Sequence, residues 1–206
     1  MRYLLEHLAV VFGAATGALA ARGKGIDLFG VVVLGLVAAV GGGTLRDVVL
    51  DAPVFWVQDS TFILSGTVAA GTMFYFARFV DPSSKPLLIV DAFSLAFVAT
   101  LGTHKTYGLN HAGTVCVVFG VVTGVAGGMI RDVLLGEVPL VFRPNIYLYA
   151  TAALIGATAY LGTAILWPDN PTNLVIGAAV ILVLRLAAIR WRWKLPVFHT
   201  QNDGVA

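Results

Sequence analysis

Seven long apolar segments, separated by short polar stretches, run along the chain. They cover approximately residues 4–21, 27–50, 60–79, 86–104, 111–134, 145–166 and 172–190. Each is long enough for a membrane-spanning helix, which needs about 20 mostly apolar residues. The segments do not alternate apolar and polar residues as the strands of a membrane barrel do, as the run 31–40 illustrates. The pattern therefore predicts an all-α integral membrane protein with seven transmembrane helices.

Composition supports this class. Of the 206 residues, 58% are hydrophobic and only 12% are charged, whereas about a quarter are charged in ordinary soluble domains. The net charge of +2 is too small to indicate nucleic-acid binding. Cys116 is the single cysteine, so an intramolecular disulfide is excluded. Its place inside an apolar run predicts a small buried side chain rather than a reactive thiol.

Basic residues are divided unequally between the two sides of the membrane that seven spans define. One side carries 3 of the 13 Lys and Arg residues and the other side carries 10. Because basic residues favour the cytoplasmic side, we expect the N-terminus outside and the C-terminus in the cytoplasm. Trp191 and Trp193 predict an interfacial anchor at the end of the seventh span, and Arg185 is expected to extend towards the same surface.

One short motif occurs twice in the chain. Residues 42–48 read Gly-Gly-Thr-Leu-Arg-Asp-Val and residues 127–133 read Gly-Gly-Met-Ile-Arg-Asp-Val. Arg46 in the first copy corresponds to Arg131 in the second, and we call the separation of these two positions the repeat offset.

Each copy of the motif lies in the second span of a three-span unit. An odd number of spans places the second unit upside down relative to the first, and such inverted repeats are frequent among transporters. The predicted organisation is a first three-helix repeat at 1–80, a second inverted three-helix repeat at 86–166, a seventh helix at 172–190 and a cytoplasmic tail at 191–206.

Paired glycines in the second and fifth spans are candidates for a kink beside a pore or binding site: Gly41, Gly42, Gly43, Gly127 and Gly128. Glycine lowers helix propensity by about 1 kcal/mol relative to alanine. A run of glycines therefore permits a kink or local unwinding, which frees backbone carbonyls for a cation. The alternative is that these glycines only allow close packing of helices. We favour the kink.

Six charged residues in the spans are candidates for structural ion pairs: Glu6, Arg46, Asp47, Asp91, Arg131 and Asp132. Within each Arg-Asp dipeptide the side chains are expected to diverge on a helix, so each charge needs another partner. Glu6 enters the first span on the side where the second span ends, and we predict that it pairs with Arg46. By symmetry, Asp91 pairs with Arg131. The alternative is that these charges lie at headgroup depth and face water.

Lys105, near the end of the fourth span, has no basic counterpart in the first repeat, where Ala20 occupies the equivalent position. Either it lines and gates a permeation path, or it extends to the membrane surface, as long basic side chains do near helix ends. The spacing of His and Cys residues supports no metal site. No pairing of a nucleophile with a base is visible, so an enzyme is the least expected class.

Three segments, 41–47, 91–105 and 127–140, resemble the prokaryotic members of the trimeric intracellular cation (TRIC) channel family, sequences also catalogued as a glycine-transporter membrane family. The resemblance covers nearly the whole chain. It implies a homotrimer in a prokaryotic inner membrane, with one K⁺-permeable pore per protomer, lined by the kinked second and fifth spans. It also places Lys105 beside the pore. Ala126 stands where the first repeat has Gly41, which predicts a weaker second kink.

The leading hypothesis is thus a monovalent cation channel, in which backbone carbonyls replace part of the hydration shell of an ion. The alternative is a secondary transporter for a small zwitterion such as glycine, bound at helix breaks. A structural protein would leave the repeated charged motif unexplained. No cofactor or metal is expected. The expected partners are further copies of the chain, membrane lipids including a bound lipid, and permeant K⁺ or Na⁺.

Overall fold

The structure is a computed structural model that describes residues 1–80, 85–143 and 148–193. Eight helices form in these ranges: α1 (Arg2–Ala21), α2 (Leu28–Val49), α3 (Phe55–Gln58), α4 (Thr61–Phe76), α5 (Lys85–Gly108), α6 (Gly113–Leu134), α7 (Tyr149–Leu166) and α8 (Thr172–Trp191). Short 3₁₀ turns at Ala77–Phe79 and Leu140–Phe142 follow α4 and α6. All of the helices except α3 are long and apolar enough to cross a membrane, counting the turn after α4 with its helix.

The prediction of an all-α membrane protein with seven spans is confirmed. The fourth span is longer than predicted, because α5 continues to Gly108 and carries Lys105 inside its last turns. The predicted start of the sixth span at 145 lies outside the described residues, and α7 is described from Tyr149. Residues 194–206 of the predicted tail are also outside the described ranges.

The helices alternate in direction, so each side of the bundle collects a fixed set of helix ends. We call the side where α1 begins and where α2 and α5 end the N-side. The opposite side, where α1 and α6 end, is the C-side. Which of the two faces the cytoplasm stays a prediction from the distribution of basic residues.

Two three-helix repeats make up most of the bundle. In the first repeat α1 packs against α2 and α4, and in the second repeat α5 packs in the same way against α6 and α7. The repeats meet where α2 contacts α6 and where α1 contacts α5. Helix α8 has no counterpart in the first repeat and packs against α5 and α7.

The chain leaves α2 and α6 through equivalent turns. Asp51 follows α2 with a φ of 50°, and Gly136, its counterpart at the repeat offset, follows α6 with a φ of 68°. Glycine adopts this left-handed conformation without steric cost, and aspartate tolerates it better than most residues. The local backbone is therefore repeated even where the residue types differ.

Candidate functional site

Helices α2 and α6 cross at Gly42 and Gly127. A Cβ atom on Gly42 would overlap the carbonyl oxygen of Thr123 on α6, and one on Gly127 would overlap the carbonyl oxygen of Ala38 on α2. Ala38 and Thr123 are themselves related by the repeat offset, so the two repeats contribute equivalent atoms to this contact. The two helix backbones approach so closely that only glycine fits at both positions.

Neither helix unwinds at these glycines. Both α2 and α6 run through the glycines as continuous α-helix, so the carbonyls keep their helical partners. Gly42 and Gly127 instead allow α2 and α6 to pack closely, which was the alternative. Gly43 has a different neighbour, since a Cβ atom there would lie 2.7 Å from the ring of Phe55. A bend of either helix axis stays a prediction.

The Arg-Asp dipeptides form ion pairs between neighbouring residues, against the expectation that their side chains diverge. Arg46 Nε donates a hydrogen bond to Asp47 Oδ1 at 2.8 Å, and Arg131 Nε donates to Asp132 Oδ1 at the same distance. The arginine side chain is long enough to turn back along the helix towards the carboxylate of the next residue. Each dipeptide thus forms an ion pair within the last turns of its helix.

Each of these carboxylates also holds the loop that follows its helix. Asp47 Oδ2 accepts a hydrogen bond from the backbone N–H of Phe55 at 3.0 Å, and Asp132 Oδ2 accepts one from Leu140 N–H at 2.8 Å. Both aspartates are almost completely buried. A buried carboxylate needs such partners, because transfer of an unpaired charge out of water is costly. The repeated motif therefore joins the ends of α2 and α6 to the following loops.

On the C-side, Arg131 lies between two carboxylates. Its Nη1 is 3.5 Å from Asp91 Oδ1, and its Nη2 is 2.7 Å from Asp132 Oδ1. The Tyr149 hydroxyl donates a hydrogen bond to Asp91 Oδ1 at 3.3 Å. The structure thus places Asp91 next to Arg131, the arrangement that symmetry suggests from the sequence.

Arg185 of α8 also belongs to this C-side cluster, which sequence reasoning missed. Its guanidinium lies over the ring of Tyr149, 4.7 Å from the ring centroid, in a cation–π contact. Arg185 is fully buried, so the expectation that it extends to the membrane surface is wrong. A charged residue in the middle of an apolar span is the signal that could have predicted a buried partner.

On the N-side the pairing is different. Glu6 Oε1 lies 3.4 Å from Arg2 Nε, one helical turn away, and within the described residues it forms no ion pair with Arg46. The predicted Glu6–Arg46 pair is therefore wrong in this structure. The physical reason is that Arg46 already binds Asp47, which leaves Glu6 to the nearer Arg2.

Lys105 is a second cationic partner of Asp47, in addition to Arg46. Its Nζ lies 2.8 Å from Asp47 Oδ1 and donates a hydrogen bond to the Pro53 carbonyl oxygen at 3.2 Å. The side chain is 30% exposed, whereas the carboxylate that it contacts is completely buried. Lys105 therefore binds the end of α2 and the loop that follows it.

A cavity of about 610 Å³ lies among these N-side charges. Five charged side chains line it: Arg2, Glu6, Arg46, Asp59 and Lys105. Its wall also includes Ala39 of α2 and Thr123 of α6, so it extends to the helix crossing. The C-side residues equivalent to Glu6 and Phe55, which are Asp91 and Leu140, are buried at 3% and 4% exposure. Equivalent positions of the two repeats thus line a cavity on the N-side and are buried on the C-side.

A bundle of two inverted repeats, with a charged cavity that reaches its interior, defines a class of membrane proteins that bind or pass small solutes. Comparison with known proteins then identifies the family. The sequence profile described as "Glycine transporter" matches the chain twice, over residues 3–78 and 88–164. The starts of the two matched segments differ by the repeat offset.

Relatives with similar sequences are membrane proteins of bacteria. The inner membrane protein YadS of Escherichia coli K12 is 40% identical over 98% of this chain and 98% of its own length. The membrane protein YvgT of Bacillus subtilis is 34% identical over 94% of each chain.

Solved structures of similar proteins are prokaryotic TRIC channels. The TRIC orthologue from Rhodobacter sphaeroides is 34% identical, with a TM-score of 0.87 over 92% of this chain and 97% of that chain. A prokaryotic TRIC channel crystallised in 0.5 M KCl is 29% identical, with a TM-score of 0.84 over 94% and 98% of the two chains. The chain belongs to the prokaryotic TRIC channel family and also matches the sequence profile described as glycine transporter. It is therefore a membrane protein and not an enzyme.

Proposed function

We propose that this protein is a monovalent cation channel, permeable to K⁺, with the permeation path inside each protomer. The observation that supports the proposal is the N-side cavity, which carries five charged side chains in an otherwise largely apolar wall and extends to the crossing of α2 and α6. A path for an ion through a membrane needs charged or polar groups of this kind, because an ion in hydrocarbon is prohibitively costly. Solved relatives that carry the name of cation channels support the same proposal.

The residues have three roles in this proposal, and Arg46 takes part in two of them. Lys105, Glu6 and Arg46 face the cavity and set its electrostatic potential. Gly42 and Gly127 hold α2 and α6 together at the inner end of the cavity, so any movement that extends the path has to alter this crossing. The Arg-Asp pairs support the helix ends around the path.

We further propose that the protein assembles as a homotrimer. A solved relative with 34% identity is named a trimeric channel. With each path inside a protomer, trimer formation positions three separate paths and does not create one on the three-fold axis.

A second candidate function is transport of a small zwitterion such as glycine. The observation that favours it is the mixture of charges in the cavity wall, where the carboxylate of Glu6 and the guanidinium of Arg46 are both present. A zwitterion needs one partner of each sign, and a volume of about 610 Å³ exceeds what glycine requires.

The two functions are separated by recording from the purified chain in planar bilayers under a KCl gradient. A channel gives unitary current steps that reverse close to the K⁺ equilibrium potential. Saturable glycine uptake into liposomes, without unitary currents, would support the transporter and contradict the channel.

The position of the path is tested with cysteine variants, for which the chain is well suited because Cys116 is its single native cysteine and is fully buried. A charged methanethiosulfonate reagent should reduce the current through A39C, since Ala39 lines the cavity. V68C is the matched control, because Val68 lies on the exposed face of α4. A current through A39C that the reagent leaves unchanged would place the path elsewhere.

A further inference from the structure

Three carboxylates lie in the wall of the N-side cavity or bind cationic side chains of that wall, and they differ in their partners. Glu6 pairs with Arg2, and Asp47 binds both Arg46 and Lys105. Asp59 lies in the connection between α3 and α4 and lines the cavity. Within the described part of the chain it forms no ion pair. Asp59 is thus the carboxylate at the cavity whose charge no cationic side chain neutralises by direct contact.

Neutral donors hold the Asp59 carboxylate in place. Asp59 Oδ2 accepts a hydrogen bond from the Tyr3 hydroxyl at 3.0 Å, and Oδ1 accepts one from the backbone N–H of Thr61 at 2.9 Å and one from its hydroxyl at 2.6 Å. These hydrogen bonds, chiefly those from Thr61, lower the pKa of Asp59 below its ordinary value. The carboxylate therefore stays ionised at neutral pH.

The charge balance of the cavity depends on this residue. Three cationic side chains, Arg2, Arg46 and Lys105, line the cavity, and the three carboxylates of Glu6, Asp47 and Asp59 balance them. Without the charge of Asp59 the group would carry one net positive charge. Such a charge at the entrance opposes the entry of cations, and a fixed negative charge raises their local concentration.

We infer that Asp59 is the residue that attracts permeant cations to the N-side entrance of the cavity, and that it contributes to selection of cations over anions. The inference rests on the proposed channel function and specifies a residue that the sequence analysis did not single out. Charged side chains at the entrance of a pore select ions in this way in other channels. Since Thr61 and Tyr3 fix the carboxylate, its charge has a defined position.

The test compares the unitary K⁺ conductance of the full chain and of D59N in low and high salt. Asparagine keeps the size of the side chain and removes its charge. Its amide oxygen can still accept the hydrogen bonds from Thr61, and its NH₂ group can donate to the Tyr3 hydroxyl, which then acts as the acceptor. The Debye length is about 30 Å at 0.01 M salt and about 3 Å at 1 M, so the effect of a fixed charge should disappear in high salt. We expect the conductance of D59N to be about twofold lower at about 0.01 M KCl and equal at about 1 M.

D51N is the matched control. Asp51 is an exposed N-side carboxylate outside the cavity wall, and asparagine tolerates its left-handed φ of 50°. Because Asp51 lies outside the cavity wall, D51N should lower the conductance less than D59N does in low salt and should match the wild-type chain in high salt. The reversal potential under a KCl gradient should move towards the Cl⁻ equilibrium potential in D59N and remain unchanged in D51N.

Four results would overturn the inference. If D59N loses the same fraction of conductance in low and in high salt, the role of Asp59 is structural. If D51N lowers the low-salt conductance as much as D59N does, the attraction of cations comes from surface charge in general. If D59N conducts as well as the wild-type chain in low salt, the role of Asp59 is refuted, while the proposed channel function is not affected. A wild-type chain without any unitary current would instead refute the proposed channel, and the inference with it.

Discussion

Arg131 and Asp132 are bound to each other by a 2.8 Å hydrogen bond although they are adjacent in the chain, and both are buried from solvent. Replacement of Asp132 by asparagine removes the charge that compensates Arg131 and leaves only Asp91 near it. Loss of one partner of a buried ion pair typically costs about 3–5 kcal/mol. We expect D132N to lower the free energy of unfolding in detergent micelles by this amount. D169N, at an exposed aspartate in the connection before α8, should change it little.

The crossing of α2 and α6 should not tolerate a methyl group. In G42A and in G127A the new Cβ atom meets a backbone carbonyl of the other helix, and overpacking of this kind typically costs about 1–3 kcal/mol. We expect both variants to melt at lower temperature than the wild-type chain in the same detergent.

Two other glycines provide controls for this experiment. Gly71 in α4 and Gly162 in α7 have no heavy atom within 4 Å of an added Cβ atom. Because alanine favours a helix over glycine by up to about 1 kcal/mol, G71A and G162A should be neutral or stabilising. Equal destabilisation by all four variants would contradict close packing at the crossing.

The equivalent residues Glu6 and Asp91 should differ strongly in their contribution to stability. Asp91 is buried beside Arg131, so D91N should cost about 3–5 kcal/mol. Glu6 is partly exposed and pairs with Arg2 one helical turn away, and such pairs contribute only about 0.3–0.5 kcal/mol. Chemical unfolding of D91N and E6Q under the same conditions measures the difference, and a larger effect of E6Q would contradict it.

Stability should depend on pH through an ion pair that joins the two repeats on the C-side. Lys24 Nζ lies 2.5 Å from Glu137 Oε1, and this hydrogen bond with its charge lowers the pKa of Glu137 below the ordinary value of 4.5. A carboxylate with a lowered pKa stabilises the fold above its ordinary pKa, and the contribution is lost as the pH falls through the folded value. E137Q should therefore lower the melting temperature at neutral pH and have no effect in strong acid.

The effect of E137Q should be small, because both side chains are partly exposed and such pairs contribute little. Glu137 also lies 3.5 Å from Arg143. If the pair with Lys24 accounts for the effect, K24Q should lower the melting temperature at neutral pH as much as E137Q does, and K24Q/E137Q should lower it no further. A difference between wild type and E137Q that persists in acid would point to a role of Glu137 other than its charge.

Hydropathy and the repeated motif were sufficient to predict the fold. Long apolar runs permit little besides spanning helices, since the membrane leaves no other way to satisfy backbone hydrogen bonds. Residues related by the repeat offset make equivalent contacts. Gly42 and Gly127 each meet a carbonyl of the other repeat, and Asp47 and Asp132 each bind the preceding arginine. These features depend on local composition and on symmetry, both of which are present in the sequence.

The partners of the charges could not be predicted in the same way. Whether Arg46 binds Asp47 or Glu6 depends on the conformation of one side chain and on the path of the loop that brings Phe55 N–H to the carboxylate. Arg185 and Lys105 break the symmetry between the repeats, so the repeat offset does not reveal their partners. Asp59 stands in a connecting segment, where neither hydropathy nor the repeat indicates that it lines a cavity.

The glycine crossing has a consequence for how such a molecule is assembled. What blocks a side chain at Gly42 is the main chain of the opposite repeat, and the same holds for Gly127, so no second substitution of a side chain can restore the fit. Each repeat supplies both the gap and the carbonyl that fills the gap of the other. One three-helix repeat, made as a separate chain and inserted into the membrane in both orientations, would therefore supply both the glycine and the carbonyl that this crossing requires.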